Sequence, residues 1–221
     1  MIRRPPRSTL DRSSAASDVY KRQASTPMRT SALEKYVEAE SFGFANSSGG
    51  HKLSRDSKNL LEDSREKIAG LFNAAPSEII FTSGGTEADN WTIKSLFESK
   101  KPDDNLVTSN IEHEAVLASA EWVSINGYQT KYAKSDKNGF VSKDEFLNQI
   151  DDNTKVASLM WGNNETGVIQ PVKDVSKEIK SVNSSTLFHS DVVQGIISDS
   201  IDFHRNGIES AAISADKFGG P

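Results

Sequence analysis

Residues 105–133, NLVTSNIEHEAVLASAEWVSINGYQTKYA, decide the fold class. Residues 105–109 (NLVTS) read as a short strand. Residues 112–126 carry apolar positions at helical spacing, and 128–133 read as a second strand. Strand, helix, strand in so few residues is a βαβ unit, whose two strands must run parallel. The alternation continues outward in both directions. Upstream, helices are expected at 31–40 and 54–73, where Leu60, Leu61, Ile68, Leu71 and Phe72 can share a face. A short buried strand at 78–82 and a helix from 86 to about 98 follow. Downstream lie a short helix at 144–150, a buried strand at 156–161, a helix at 172–181 and strands at 186–189 and 210–214. The fold expected is α/β, a largely parallel sheet flanked by helices. In such sheets ligands sit beyond the carboxyl ends of the strands.

Composition narrows the function classes. The 221 residues include no cysteine, so the chain has no disulfide framework, thiolate metal site or cysteine nucleophile. No apolar run approaches the ~18 residues of a membrane span, so no membrane partner is expected. Charge is uneven. Residues 1–23 hold six basic residues against Asp11 and Asp18, whereas the remainder holds 20 basic and 29 acidic residues. An acidic body argues against duplex nucleic acid, whose binding rests on phosphate neutralisation. The leader MIRRPPRSTLDRSSAASDVYKRQ has the composition of a transit peptide or a disordered tail. It also resembles a translated adapter scar, the reading preferred, and is set apart from the fold. At the other end, Phe218-Gly219-Gly220-Pro221 is a turn signal, so truncation is expected.

Chemically capable residues fall just after the expected strands. Ser83-Gly84-Gly85-Thr86-Glu87 joins strand to helix, and glycines with free helix N–H groups suit an anion. An ordinary N-cap with Glu87 answering the helix dipole explains the same residues. His113 can stack on a flat ligand or move protons, or merely cap a helix. Asp191 can hold a positive ring nitrogen, with Gln194 bonding a nearby oxygen, or cap the next turn. Lys217, in a glycine-rich turn, can condense with a carbonyl once its pKa falls, though most lysines are solvated charges. Residues 134–145 match much of a calcium loop, but Lys134 places a cation where the ion needs an oxygen. No metal is expected there.

Six segments in order resemble the pyridoxal-phosphate (PLP) enzymes of the class V aminotransferase group, specifically cysteine desulfurases. They are Ala24–Pro27, Phe81–Asn90, Glu112–Val116, Asn163–Pro171, His189–Gly195 and Ser214–Pro221. The resemblance implies a fold type I large domain over 24–221, incomplete and without its small domain. It implies that Lys217 holds PLP covalently and then acts as the proton-transfer base. Asp191 would pair with the ring nitrogen, His113 would stack on the ring and assist proton transfer, and Asn164 and Gln194 would bond near the phenolic oxygen. Gly85, Thr86 and Ser214 would contact the phosphate. Asp216 stands where many members place a phosphate-contacting histidine, and a carboxylate there repels phosphate.

The implied reaction of an intact enzyme takes sulfur from L-cysteine, leaving alanine and an enzyme persulfide that serves iron–sulfur or thio-cofactor assembly. The implied partners are L-cysteine, a second subunit in a homodimer, and a sulfur-acceptor scaffold. A cytoplasmic location, or an organellar matrix if the leader is a transit peptide, accompanies that role. The alternatives are another class V enzyme, such as a selenocysteine lyase or aminotransferase, and a non-catalytic binding remnant of the same fold.

Overall fold

The computed structural model describes residues 26–42, 45–98, 101, 103–197 and 201–221. The basic leader at 1–23 and the opening Ala24-Ser25 lie outside them. Two helices open the described chain: α1 (Thr30–Phe42) and α2 (Lys52–Leu71). Then come α3 (Gly85–Ser95), β1 (Asn105–Ser109), α4 (Glu114–Ile125), β2 (Gln129–Ala133), α5 (Lys143–Leu147) and β3 (Thr154–Ser158). Finally α6 (Val172–Val182), β4 (Leu187–Asp191) and β5 (Ser210–Ala212) complete the described elements.

Among the described residues the five strands form one sheet in the order β2-β1-β3-β4-β5, and every pairing is parallel. Strand pleating sorts consecutive residues onto opposite faces. Leu106 and Val156 pack with Ile93, Val116, Ala120 and Val123 from α3 and α4. Their neighbours Val107, Ala157 and Phe188 pack on the other face with Phe146, Val175 and Ile179 from α5 and α6. A sheet covered on both sides buries its inner strands on both faces, which is why β1 is buried throughout although only Leu106 and Val107 in it are apolar. The chain leaves β1 toward β2 on one side, while β3 lies on the other. That reversal opens a crevice between the ends of β1 and β3. No helix among the described residues is long and apolar enough to cross a membrane.

The expected elements form with some shifted ends (the strand expected at 156–161 is Thr154–Ser158, the helix expected at 144–150 is Lys143–Leu147) and three larger differences. Residues 78–82 do not form a buried strand: Pro76–Glu78 is a 3-10 turn, and the backbone after it belongs to no strand. Ile80 is 63% exposed. A strand needs a paired edge, and here the segment's polar groups are answered locally. The Arg65 guanidinium donates to the Ile79 carbonyl and also lies over the Phe81 ring. Leu71, expected on the buried face of α2, is 77% exposed, because burial on that helix follows Ser54, Ser57 and Ala69. Lastly, β4 runs two residues further than the pattern suggested, so Asp191 is the last residue of a strand rather than a residue beyond it.

The calcium-like loop is closed on itself. Asp136 accepts the N–H groups of Asn138 and Phe140 at 2.8 and 2.9 Å, while Glu145 accepts that of Lys134. These backbone bonds hold the Asp136 carboxyl below its ordinary range.

Candidate active site

The carboxyl ends of β1, β3, β4 and β5 and the N-terminus of α3 converge on one cavity of about 530 Å³. Its walls contain Gly85, Thr86, His113, Asn164, Asp191, Gln194, Ser214, Asp216 and Lys217, so all nine residues singled out from the sequence share one space. A second cavity, about 380 Å³ and more apolar, lies between residues 78–82, α3 and the edge of β5. It contains none of the nine.

The α3 end is built for close approach. Gly84 has φ +154° and ψ −178°, a region essentially reserved for glycine. A Cβ on Gly85 would stand 2.9 Å from the Val193 side chain, so only glycine brings this backbone so near the wall of β4. The first N–H groups of an eleven-residue helix border the cavity there, a natural place for phosphate. Glu87 accepts the Ser83 N–H, which holds its carboxyl below the ordinary range and fixes the turn.

After β1 the chain turns into α4 with His113 as N-cap, its Nδ1 accepting the Ala115 N–H at 3.2 Å. The modest capping role and the ligand role therefore coexist: capping uses Nδ1, and a neutral ring carries its proton on Nε2. After β3, Asn163 organises the next loop. Its Oδ1 accepts the N–H groups of Glu165 and Thr166, and its Nδ2 donates to the Ile111 carbonyl. The loop closes through the Gly162–Ile169 bridge, with Gly167 at φ +74°, and so presents Asn164 to the cavity.

Asp191 is buried at the end of β4 and accepts the Val193 N–H at 2.9 Å. Burial first, then repulsion from Asp89, pushes its carboxyl up to about 6, against the pull of that N–H and of two histidines. A cation in the cavity would favour the ionised form. The final turn, Ala215–Lys217, is pinned from afar. Thr26 donates both its N–H and its hydroxyl to the Asp216 carbonyl at 2.8 Å, and the Arg29 N–H reaches Gly219. Lys217 Nζ lies 3.1 Å from the Asp216 carboxylate, which also accepts the Ser214 hydroxyl at 2.5 Å. Burial raises the Asp216 carboxyl, but the Ser214 and Lys217 bonds outweigh it and hold the group below its ordinary range.

Three residues escaped the sequence reading. Met160 and Asp89 line the cavity, and Glu112 lies buried beside His113. Glu112 Oε1 accepts the Met160 N–H at 2.9 Å and the Ser109 hydroxyl at 2.7 Å, tying the end of β1 to that of β3, while Oε2 has no hydrogen-bond partner among the described residues. Burial pushes its carboxyl up to about 8, with those two bonds opposing and Asp191 and Asp89 adding repulsion. Glu112 is therefore uncharged at neutral pH. The spacing of Asp89, three residues after Thr86 on a helix, was the available signal for that residue.

The profile described as "Aminotransferase class-V" matches residues 19–221. The chain is 38% identical over 199 residues to "Cysteine desulfurase IscS" of Methanosarcina thermophila, covering 90% of this chain and 49% of that protein. Among solved structures, a "NIFS-LIKE PROTEIN" superposes with a TM-score of 0.87 at 35% identity, over 90% of this chain and 55% of that one. A structure described as "SspA in complex with cysteine" gives 0.85 at 31%, over 90% and 57%. The chain thus spans about half the length of the proteins it matches. Profile, relatives and superposed folds all cover the strands and turns that build the cavity, and the chain belongs to the class V aminotransferase family.

Proposed function

We propose that the cavity binds pyridoxal phosphate and serves the desulfuration of L-cysteine. The observation that carries this reading is the shared placement of Lys217, Asp191 and the glycine-lined N-terminus of α3 in one cavity. The donor set fits the group: N–H groups and hydroxyls for a phosphate, a buried carboxyl for a cationic ring nitrogen, and an amine for a carbonyl carbon. When bound, PLP supplies an electron-withdrawing ring that stabilises negative charge on the substrate's α-carbon.

The chain's own residues divide the remaining work. Gly85 and Thr86 would hold the phosphate, joined by Ser214 once its hydroxyl turns from Asp216, and Asp191 would keep a proton on the ring nitrogen. His113, with Nδ1 engaged, offers its ring face and Nε2–H, while Asn164 and Gln194 set the ring's orientation. Lys217 Nζ would hold the carbonyl carbon, with loss of water, and once displaced by substrate would take and return the substrate's α-proton. Sulfur leaves as persulfide only where a thiol receives it, and none of the 221 residues is cysteine. The receiving thiol, a homodimeric partner and a sulfur-acceptor scaffold for iron–sulfur assembly belong to the same proposal. So does the assignment of residues 24–221 to an incomplete large domain.

Borohydride reduction of the PLP-treated chain, followed by peptide mapping, tests the reading. The label is expected on Lys217 and absent from Lys217→Ala. A label on another lysine, or none, overturns it.

A further inference from the structure

Beneath the cavity wall lies a polar network that the proposed reaction does not use. Asp89 of α3 and His189 of β4 are both fully enclosed, at 1% and 0% exposure, with Asp89 Oδ1 3.0 Å from His189 Nε2. The other ring nitrogen, Nδ1, lies 3.3 Å from the Ser210 hydroxyl of β5, which lies 2.8 Å from the Thr92 hydroxyl of α3. Buried ion-capable pairs are costly compared with apolar packing, so this one calls for a role.

Two geometric facts supply it. His189 and Asp191 stand two residues apart on β4, hence on the same face of the sheet. Asp89 also borders the same cavity as Asp191. The network holds the ring at both nitrogens. Where Asp89 is ionised it only accepts, and the bond then places a proton on Nε2. At Nδ1 the two hydroxyls can run either way: Ser210 donates to a neutral ring, or accepts from a charged one and donates to Thr92. The ring can gain or lose charge without losing a bond.

We propose that Asp89 and His189 act as a positioning pair for Asp191: Asp89 fixes the imidazole beside it, and together they set the charge that Asp191 presents to the cavity. The proposal rests on the reading of Asp191 as the partner of a ring nitrogen. The other titratable groups acting on Asp191 are His113 and the uncharged Glu112, and Lys217 borders the same cavity. Asp89 repels the Asp191 charge and His189 attracts it, so the two halves of the pair should move Asp191 in opposite directions.

The test needs no cofactor. The Asp191 carboxyl is followed by carbon NMR against pH in the chain itself, with the rings of its four histidines followed by nitrogen NMR. Asp89→Asn, which keeps an oxygen for Nε2–H, is expected to lower the Asp191 midpoint by about one pH unit, and His189→Gln to raise it by a similar amount. In the unaltered chain, the proton of a neutral His189 ring is expected on Nε2. Unchanged midpoints in folded variants would reduce the pair to packing. A His189 ring lacking the Nε2 proton would overturn the proposal with no variant at all. If borohydride places no label on Lys217, the cofactor reading fails, yet these titrations still decide whether the pair governs Asp191.

Discussion

Replacing Glu112 with glutamine should stabilise the protein, and by more as the pH rises. The glutamate's carboxyl is pushed up to about 8 from an ordinary value of 4.5, chiefly by burial. Between those values the folded chain keeps a proton that the unfolded chain has released. A folded-state pKa raised above the unfolded one makes an acid's contribution full below the lower value and progressively lost above it. Within that window the slope approaches 1.4 kcal/mol per pH unit, so two units remove about 3 kcal/mol. Glu112→Gln keeps an oxygen for the Met160 N–H and the Ser109 hydroxyl, and it has no proton to lose. Urea unfolding of both proteins at several pH values is the assay. Near pH 5 the two should unfold at similar urea concentrations. By about pH 7.5 the variant should lead by roughly 3 kcal/mol, a midpoint shift of about 1–3 M. A stability difference that stays constant across this range would refute the claim that Glu112 is held uncharged by burial.

Three further outcomes follow from the cavity. Gly85→Ala puts a Cβ 2.9 Å from the Val193 side chain, so PLP affinity measured by fluorescence titration should fall about tenfold; unchanged affinity would remove α3 from the cradle. Asp216→Asn removes a negative charge near the proposed phosphate position, and affinity for PLP should rise several-fold, whereas weaker binding would mean that Asp216 orders Lys217 more than it repels phosphate. Asp191→Asn should retain bound PLP while deuterium exchange at the α-carbon of L-cysteine slows by about a hundredfold or more; exchange at the parental rate would make Asp191 only a turn cap.

The layered architecture was legible because both its signals are local. Helical spacing in 112–126 between two short strands already implies a parallel pair. The site was legible for a related reason: parallel sheets deliver the residues after each strand to one edge, so His113, Asn164, Asp191 and Lys217 had to come close. What could not be read depended on partners distant in sequence. Residues 78–82 have strand composition, but composition does not provide an edge to pair with. The Asp89–His189 bond joins positions 100 apart, and nothing near either residue announces the other. Glu112 looks like a surface charge until β3 closes over it. Leu71 failed for the opposite reason: a wide apolar stripe on a helix does not say which part of it meets the core.

The bonds from Thr26 to the Asp216 carbonyl bear on the order in which the molecule assembles. They span 190 positions, and bringing such remote points together costs about 5 kcal/mol of chain entropy on a logarithmic scale. Contacts of that separation form late in folding, once the intervening sheet has drawn the two segments close. The closing of the Lys217 turn onto Thr26 is therefore expected among the later contacts. Should Lys217 capture a carbonyl compound as proposed, that capture is expected to depend on these long-range contacts having formed.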